Sequence, residues 1–458
     1  MVGEGGESTT RRVLVRGAAC DCAYLDDLTT IRATKGLPYT NPIDWGGLHA
    51  KDTDNPVGVP GLQVDGYFLD DASTTTRAPS NFFGNEKYPF DSQFVIRFPN
   101  DWNGKLVITG APGVRGQYAN DFLISDYVLD KGYAFASTDK GNSGLQFYRA
   151  DETLGAAVAE WHQRISQLTE ATKDAAEEYY GYEPVRTYIT GTSNGGYLTR
   201  YALERHPELY DGGVDWQGLL WLPEGPNLLT FLPPAVKYYP EYRDLRSRAA
   251  RDAIIQAGFT PESDFLWQYH YEVYWNSTQR IYREEFDPYW PGSDAEYEYA
   301  ERLDPQKNPL AQLIKSAVEK VSLTGDLGKR LITLHGTLDA LLPVEMNSDK
   351  YAELIEKAGR SDLHRYYKVK GGNHVDGLYD YAGPDPRNSD LELRQEWREK
   401  LRPMLPCYRA ALEALEKWVE KGIDPPQSQT VPKPEGGDVV NCCPPLSEHE
   451  AASAGAPD

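Results

Sequence analysis

Ser193 stands in Thr190-Gly191-Thr192-Ser193-Asn194-Gly195-Gly196, between a short apolar run and a segment of helical spacing. A serine with glycine two residues before and two after it marks a sharp strand-to-helix turn. Only small residues at those flanks avoid a clash, and the turn pushes the hydroxyl out beyond the sheet. The helix that opens there presents unpaired N–H groups beside it. Such a serine is a candidate nucleophile, against the plainer reading of a glycine-rich turn. A serine hydroxyl at its ordinary pKa is inert, so a base and an orienting carboxylate must accompany it. In this setting the chain order is serine, then acid, then histidine.

Four histidines lie late enough to serve as the base: His335, His364, His374 and His449. His449 falls in the polar tail and His364 begins a strand. His374 lies in Lys370-Gly371-Gly372-Asn373-His374-Val375-Asp376, a glycine-rich loop after the last buried strand, which is where the base belongs. The acid should sit just past the preceding strand, and Gly336-Thr337-Leu338-Asp339 places Asp339 there. Asp339 and His374 are then separated by the length of one helix and one strand. The plainer readings are a capping aspartate and a structural loop histidine. Asp376 is the runner-up acid, too close in sequence to His374. His335, at the end of its strand, orients a loop near the site.

Acyl transfer also needs donors for a developing oxyanion. The backbone N–H of Asn194 is one. The second comes from Gly110-Ala111-Pro112-Gly113-Val114-Arg115-Gly116, where Pro112 has no N–H. Gly113 is the first choice, with Ala111 and Val114 behind it. Asp139, Asp215 and Trp216 follow buried strands and are expected to meet substrate, although Trp216 also suits plain packing. Glu284-Glu285-Phe286-Asp287 reads as a solvated face, with calcium as the alternative despite the lack of a spaced ligand loop. No other cofactor or metal is expected.

The elements that position these residues are short apolar runs bounded by glycine. Phe94–Pro99 reads as an edge strand, and 105–110, 132–138, 185–190, 330–336 and 365–370 as buried strands. Helical stretches alternate with them over 156–179, 195–204, 347–358 and 407–421, with Gly422 as the last stop. Alternation of this kind predicts an α/β fold with a doubly wound, mostly parallel sheet. The expected organisation is a loop and short-strand segment over 1–88, core over 89–215 and 328–423, and a Pro-rich, loosely held tail over 424–458. Between the core halves, 216–327 breaks the alternation and reads as a helical, aromatic-rich lid.

The chain has 458 residues, 47 basic against 69 acidic side chains, and a net charge of −22. That balance argues against nucleic acid or an anionic membrane surface as a partner. No run is long and apolar enough to span a membrane, and Met1–Arg12 lacks the apolar centre of a secretory signal. The protein is therefore either cytosolic or already processed. Aromatic residues make up 12%, including 31 Tyr and 10 Trp, which suits an organic substrate as well as core packing. Of five cysteines, Cys20 and Cys22 lie near one end and Cys407, Cys442 and Cys443 near the other. Bridges between the two ends would staple the tail to the body, with free thiols as the alternative; a zinc knuckle does not fit the spacing. Oligomeric state is left open.

The chain resembles the α/β-hydrolase superfamily, and within it the tannase and feruloyl esterase family. Gly132–Gly141, the Ser193 turn, Tyr210–Val214 and the closing Ala414–Gly422 helix carry the likeness, over roughly residues 90–430. The Ser193-Asn194-Gly195-Gly196 wording is also similar to 3-hydroxybutyrate oligomer hydrolases. The resemblance implies a secreted or periplasmic carboxylic ester hydrolase with a lid. In many tannase-like members one cysteine precedes the catalytic serine and another neighbours the histidine; here those places hold Thr192 and Asn373. The expected function is a serine esterase acting through an acyl-enzyme on a phenolic ester, a hydroxyalkanoate oligomer or an aryl polyester. Two alternatives rank below it. A prolyl oligopeptidase-type serine peptidase shares the Gly-x-Ser-Asn-Gly-Gly wording, but no blade repeat precedes the sheet. A non-catalytic hydrolase-fold binding protein would ordinarily have lost one of the three residues.

Overall fold

The computed structural model describes residues 13–30, 39–69, 90–150, 152–384, 389–444 and 446. The expectations for Met1–Arg12, for His449 and for the end of the tail lie outside the described residues. One ten-stranded sheet organises the chain: β1 (Ala18–Leu25), β2 (Gly61–Phe68), β3 (Gln93–Pro99), β4 (Lys105–Gly110), β5 (Ala134–Thr138), β6 (Arg186–Thr192), β7 (Gly212–Trp216), β8 (Arg330–Gly336), β9 (His364–Val369) and β10 (Gln429–Val431). The spatial order is β1-β2-β3-β5-β4-β6-β7-β8-β9-β10. The β1/β2, β2/β3 and β3/β5 pairs are antiparallel and all the others parallel.

The parallel strands are near-continuous apolar runs because helices cover both faces of the sheet. Every residue of β5 and β7 is buried, as is all of β4 after Lys105. The helix Ala156–Tyr180 buries Val158, Trp161, Ile165 and Leu168, and the closing helix Leu405–Lys421 buries Ala411, Leu412, Leu415 and Trp418. Gly422 ends the latter at φ +65°, a left-handed conformation that glycine adopts without strain.

Three expectations about the sheet are corrected. Phe94–Pro99 is not an edge strand, because β2 and β1 extend the sheet beyond it. The early segment holds two eight-residue strands rather than short ones; the wide separation of β1 and β2 hides their pairing from local sequence. The tail is firmly held through residue 443. Its β10 adds in parallel to β9, Arg402 Nη1 donates to the Pro432 carbonyl at 2.5 Å, and Cys443 is disulfide-bonded to Cys407. No bridge joins the two chain ends: Cys20, Cys22 and Cys442 are free thiols.

The segment between β7 and β8 is helical, with Leu228–Leu245, Arg248–Gln256, Asn276–Phe286 and Ala311–Glu319 as its longer pieces. Asn227 starts the first of them with a reciprocal cap to Thr230. Its aromatic richness forms a second packed layer around fully buried Trp221, Trp267 and Trp275. Trp275 Nε1 donates to the Ala340 carbonyl at 2.7 Å, tying this segment to the loop after β8. No described helix is long and apolar enough to cross a membrane.

Candidate active site

β6 ends at Thr192, and Asn194–Arg205 is already helix, so Ser193 carries the whole reversal at φ 57° and ψ −116°. A non-glycine residue rarely adopts positive φ, and such conformations are held only where the surroundings enforce them. The flanking glycines show how. A Cβ on Gly191 would lie 2.6 Å from the Gly195 backbone, and one on Gly195 would lie 2.4 Å from the Gly110 carbonyl oxygen.

Ser193 Oγ lies 3.2 Å from His374 Nε2, and His374 Nδ1 donates to Asp339 Oδ2 at 2.8 Å. The carboxylate can only accept, so Nδ1 carries the proton and Nε2 turns its lone pair to the serine. Asp339 is satisfied on both oxygens, since Oδ1 accepts the amides of Leu341 and Leu342 at 2.9 and 2.8 Å. Burial alone would raise its pKa. The His374 charge and hydrogen bonds from His335 and His374 outweigh that and hold the carboxyl below its usual range.

A relay continues behind the carboxylate. His335 Nε2 donates to the Leu342 carbonyl at 2.8 Å and lies 3.3 Å from Asp339 Oδ2. Its Nδ1 then accepts from Ser348 Oγ at 2.7 Å, and Ser348 accepts from Arg200 Nη2 at 2.6 Å. Arg200 is in turn paired with Asp215 at 2.6 Å, both side chains being fully buried. Asp215 is therefore corrected from a substrate contact to a structural anion. It also accepts the Gly218 amide at 2.7 Å, facing the helix that follows Ser193. Trp216, the next residue along β7, points to the opposite face, as strand alternation requires. It lines the cavity beside Ser193 and stacks on Tyr408 at 5.3 Å.

Asp139 is also corrected. It is buried, its Oδ1 accepts the Gly141 amide at 2.8 Å, and it is absent from the cavity wall. Among the oxyanion candidates, Ala111 is excluded because its N–H continues the ladder to the Thr138 carbonyl at 2.9 Å. Gly113 and Val114 line the cavity with Asn194. Asn194 is the first helical residue after Ser193, where backbone N–H groups lack intrahelical acceptors. Asp376 does not pair with His374: its oxygens accept the Met404 and Leu405 amides at 2.7 and 2.8 Å, at the start of the closing helix. The acidic run of the insertion builds no cation cage. Asp287 pairs with Arg302 at 2.6 Å, and Glu285 accepts the Ala157 amide at 2.8 Å. Among the described residues no group of three or more His, Cys, Asp or Glu side chains is placed to hold a metal.

Sequence reasoning missed two residues. Tyr282, from the insertion, donates to Asn194 Oδ1 at 2.8 Å, while Asn194 Nδ2 donates to the Gly113 carbonyl at 3.0 Å. Gln217 Nε2 donates to the His374 carbonyl at 2.7 Å. Nothing in the sequence singled out either one.

Ser193 and His374 open into a cavity of about 480 Å³. Leu123, Phe147, Leu219, Ile281, Leu341 and Val375 give it apolar walls, and Tyr269, Tyr274 and Tyr282 reach in from the insertion. Val273 and Tyr274 are delivered by a wider π-helical turn, Tyr271–Trp275, a feature frequent at functional sites.

Residues 84–215 match the family described as tannase and feruloyl esterase, and residues 255–440 match an alpha/beta hydrolase domain. The chain thus has the α/β-hydrolase fold. Within that class its residues 84–215 are similar to the tannases and feruloyl esterases. A mono(2-hydroxyethyl) terephthalate hydrolase of Piscinibacter sakaiensis is 28% identical over 145 residues, or 29% of this chain and 24% of that protein. The match therefore spans about a quarter of that relative's length. A probable feruloyl esterase B-2 of Aspergillus terreus is 22% identical over 396 residues, covering 66% of this chain and 72% of that protein. In fold, the crystal structure of feruloyl esterase B from Aspergillus oryzae is similar at a TM-score of 0.57 and 14% identity, covering 90% of this chain and 89% of that one.

Proposed function

We propose that this chain hydrolyses small aromatic or apolar carboxylic esters by a two-step displacement on Ser193. The reading is carried by one observation: the Ser193–His374–Asp339 hydrogen-bond sequence opens directly into an apolar cavity. Ser193 Oγ attacks the ester carbonyl as His374 Nε2 takes its proton, and the alcohol leaves with that proton. Water then attacks the acyl-serine ester, again deprotonated by His374, releasing the acid and restoring the serine. Asp339 holds the imidazole in its tautomer and stabilises the imidazolium. The Asn194 amide, with Gly113 or Val114, receives the oxyanion. The insertion acts as a lid, since its tyrosines close one side of the cavity and exclude water from the acyl-enzyme.

A cavity of about 480 Å³ is in the range of small-molecule pockets. It favours a single-ring ester, of the size of a feruloyl ester or a hydroxyethyl terephthalate, over a buried oligomer. The test is a panel of alkyl benzoates, cinnamates and hydroxyalkanoate oligomers assayed with the native chain and Ser193→Ala. Turnover of the single-ring esters, abolished in the variant while its melting temperature is retained, is expected. Equal turnover by both proteins would reject the mechanism.

A further inference from the structure

The C-terminal end of β7 holds the serine and the histidine at once. The Trp216 carbonyl accepts the Ser193 amide at 3.0 Å, and the Gln217 amide donates to the Leu334 carbonyl of β8 at 2.7 Å. Gln217 Nε2 then reaches across to the His374 carbonyl at 2.7 Å. Two neighbouring residues therefore tie the backbones of both reacting groups to one strand end. Gln217 does so from an unfavourable conformation. Its φ is 46°, in the left-handed region where glycine sits without strain and a Cβ costs energy. The side chain is buried, and its Oε1 has no hydrogen-bond partner among the described residues. An amide oxygen buried without a partner is a second cost. Among the described residues, the side chain's one hydrogen bond is the one to His374.

Strain held next to reacting groups points to a use, and the histidine loop needs such a tie. Earlier in that loop, the Gly371 carbonyl accepts the Arg402 amide and the Gly372 carbonyl the Leu338 amide, each at 2.8 Å. At His374 this backbone anchoring stops: among the described residues no backbone amide bonds to its carbonyl, and Gln217 supplies the bond instead. His374 Nε2 stands 3.2 Å from Ser193 Oγ, so a small drift of the loop would break the proton path. We propose that Gln217 is a positioning residue, which fixes the His374 backbone relative to Ser193 and keeps Nε2 within reach of the hydroxyl. It does not line the cavity, so it acts on the chemical step rather than on substrate binding. The inference rests on the esterase reading of Ser193 and His374 and adds the group that sets their spacing.

The test separates the amide donor from the backbone strain. Gln217→Met keeps the length and the strained backbone but has no donor. Gln217→Gly removes the donor and relieves the strain. Rates on one small ester are normalised to the serine titrated by a fluorophosphonate, so loss of folded enzyme does not enter. Both variants should lose about 5- to 50-fold in kcat, with KM changed by less than about twofold. Gln217→Gly should nevertheless melt at a higher temperature than Gln217→Met. A second readout needs no turnover. The downfield proton resonance of His374 Nδ1–H, identified by its absence in His374→Ala, should shift or broaden in Gln217→Met as the ring loses its fixed place beside Asp339. Native kcat per titrated serine in both variants, or a loss confined to KM or to melting temperature, overturns the inference and leaves the esterase reading intact. An unmoved resonance in Gln217→Met does the same. A native chain that turns over no ester, with the resonance still displaced in Gln217→Met, would instead reject the esterase reading alone.

Discussion

His335 Nε2 lies 3.3 Å from Asp339 Oδ2, on the same oxygen that accepts from His374. The carboxylate is thereby held from behind as well as from the front, through a relay that reaches Ser348, Arg200 and Asp215. His335 is buried and does not line the cavity, so the role proposed for it is to position Asp339. His335→Gln should lower kcat by about tenfold while leaving KM for a small ester nearly unchanged, since a lost hydrogen bond to a charged group costs about 1.5–3 kcal/mol at most. Asp339→Asn should cost far more, on the order of 10³ to 10⁴ in kcat. Steady-state kinetics of both variants on one ester checks the order. Equal losses would show that His335 does more than position the carboxylate.

The Tyr282 hydroxyl connects the insertion to the Gly113 loop through Asn194. Removing it by Tyr282→Phe keeps the ring against Trp221 and Phe147. The lost hydrogen bond is worth about 1 kcal/mol, so kcat should fall about fivefold with little change in melting temperature. A variant with native kcat would remove Tyr282 from the account of the site.

Gly195 admits no side chain, because its Cβ would meet the Gly110 carbonyl at 2.4 Å. Gly195→Ala must push the helix away from β4, at a cost of about 1–3 kcal/mol or more. Chemical denaturation should show that loss, with activity falling further than stability because the Ser193 hydroxyl is displaced. A fully active, fully stable alanine variant would contradict the geometry of the turn.

The Cys407–Cys443 bridge closes a loop across a sequence separation of 36 and holds the tail strand against the body. Cys443→Ser should cost about 2–4 kcal/mol, seen as a lower denaturation midpoint. The activity of the folded fraction should persist, because neither cysteine belongs to the cavity wall.

Asp126 gives stability a pH dependence of its own. Burial pushes its carboxyl up to about 7, against hydrogen bonds from Thr30, with Asp121 adding to the rise and Arg97 opposing it. The folded state then holds a proton that the unfolded chain releases above about pH 4. Its contribution is complete below that point and is lost as pH rises through about 7, with a slope of at most about 1.4 kcal/mol per pH unit. Between pH 4.5 and 7.5, Asp126→Asn should therefore lose less stability than the native chain. Parallel stability curves for the two proteins would show that Asp126 is ionised throughout.

Much of the site was legible because topology constrains it. Ser193 was marked by glycines that the turn makes obligatory, and Asp339 and His374 by loops that follow successive parallel strands. Asp139, Asp215 and Ala111 show where that logic ends. Each lies at a strand's C-terminal end, but position does not reveal which way a side chain points or whether an N–H is already used. Asp215 turns to Arg200, and the Ala111 amide is taken by Thr138. Tyr282 and Gln217 were illegible for another reason: their partners lie 88 and 157 residues away. The β1–β2 pairing and the tail strand depend on contacts of the same kind, which no local pattern of hydrophobicity encodes.

The central claim is that the Ser193 hydroxyl, and no other, is activated as a nucleophile. A fluorophosphonate probe reacts with such a serine, and peptide mass mapping locates the adduct. The account predicts a single adduct on Ser193, formed at a rate that collapses in His374→Ala. Modification of another residue, or labelling of Ser193 at the same rate without His374, would contradict it.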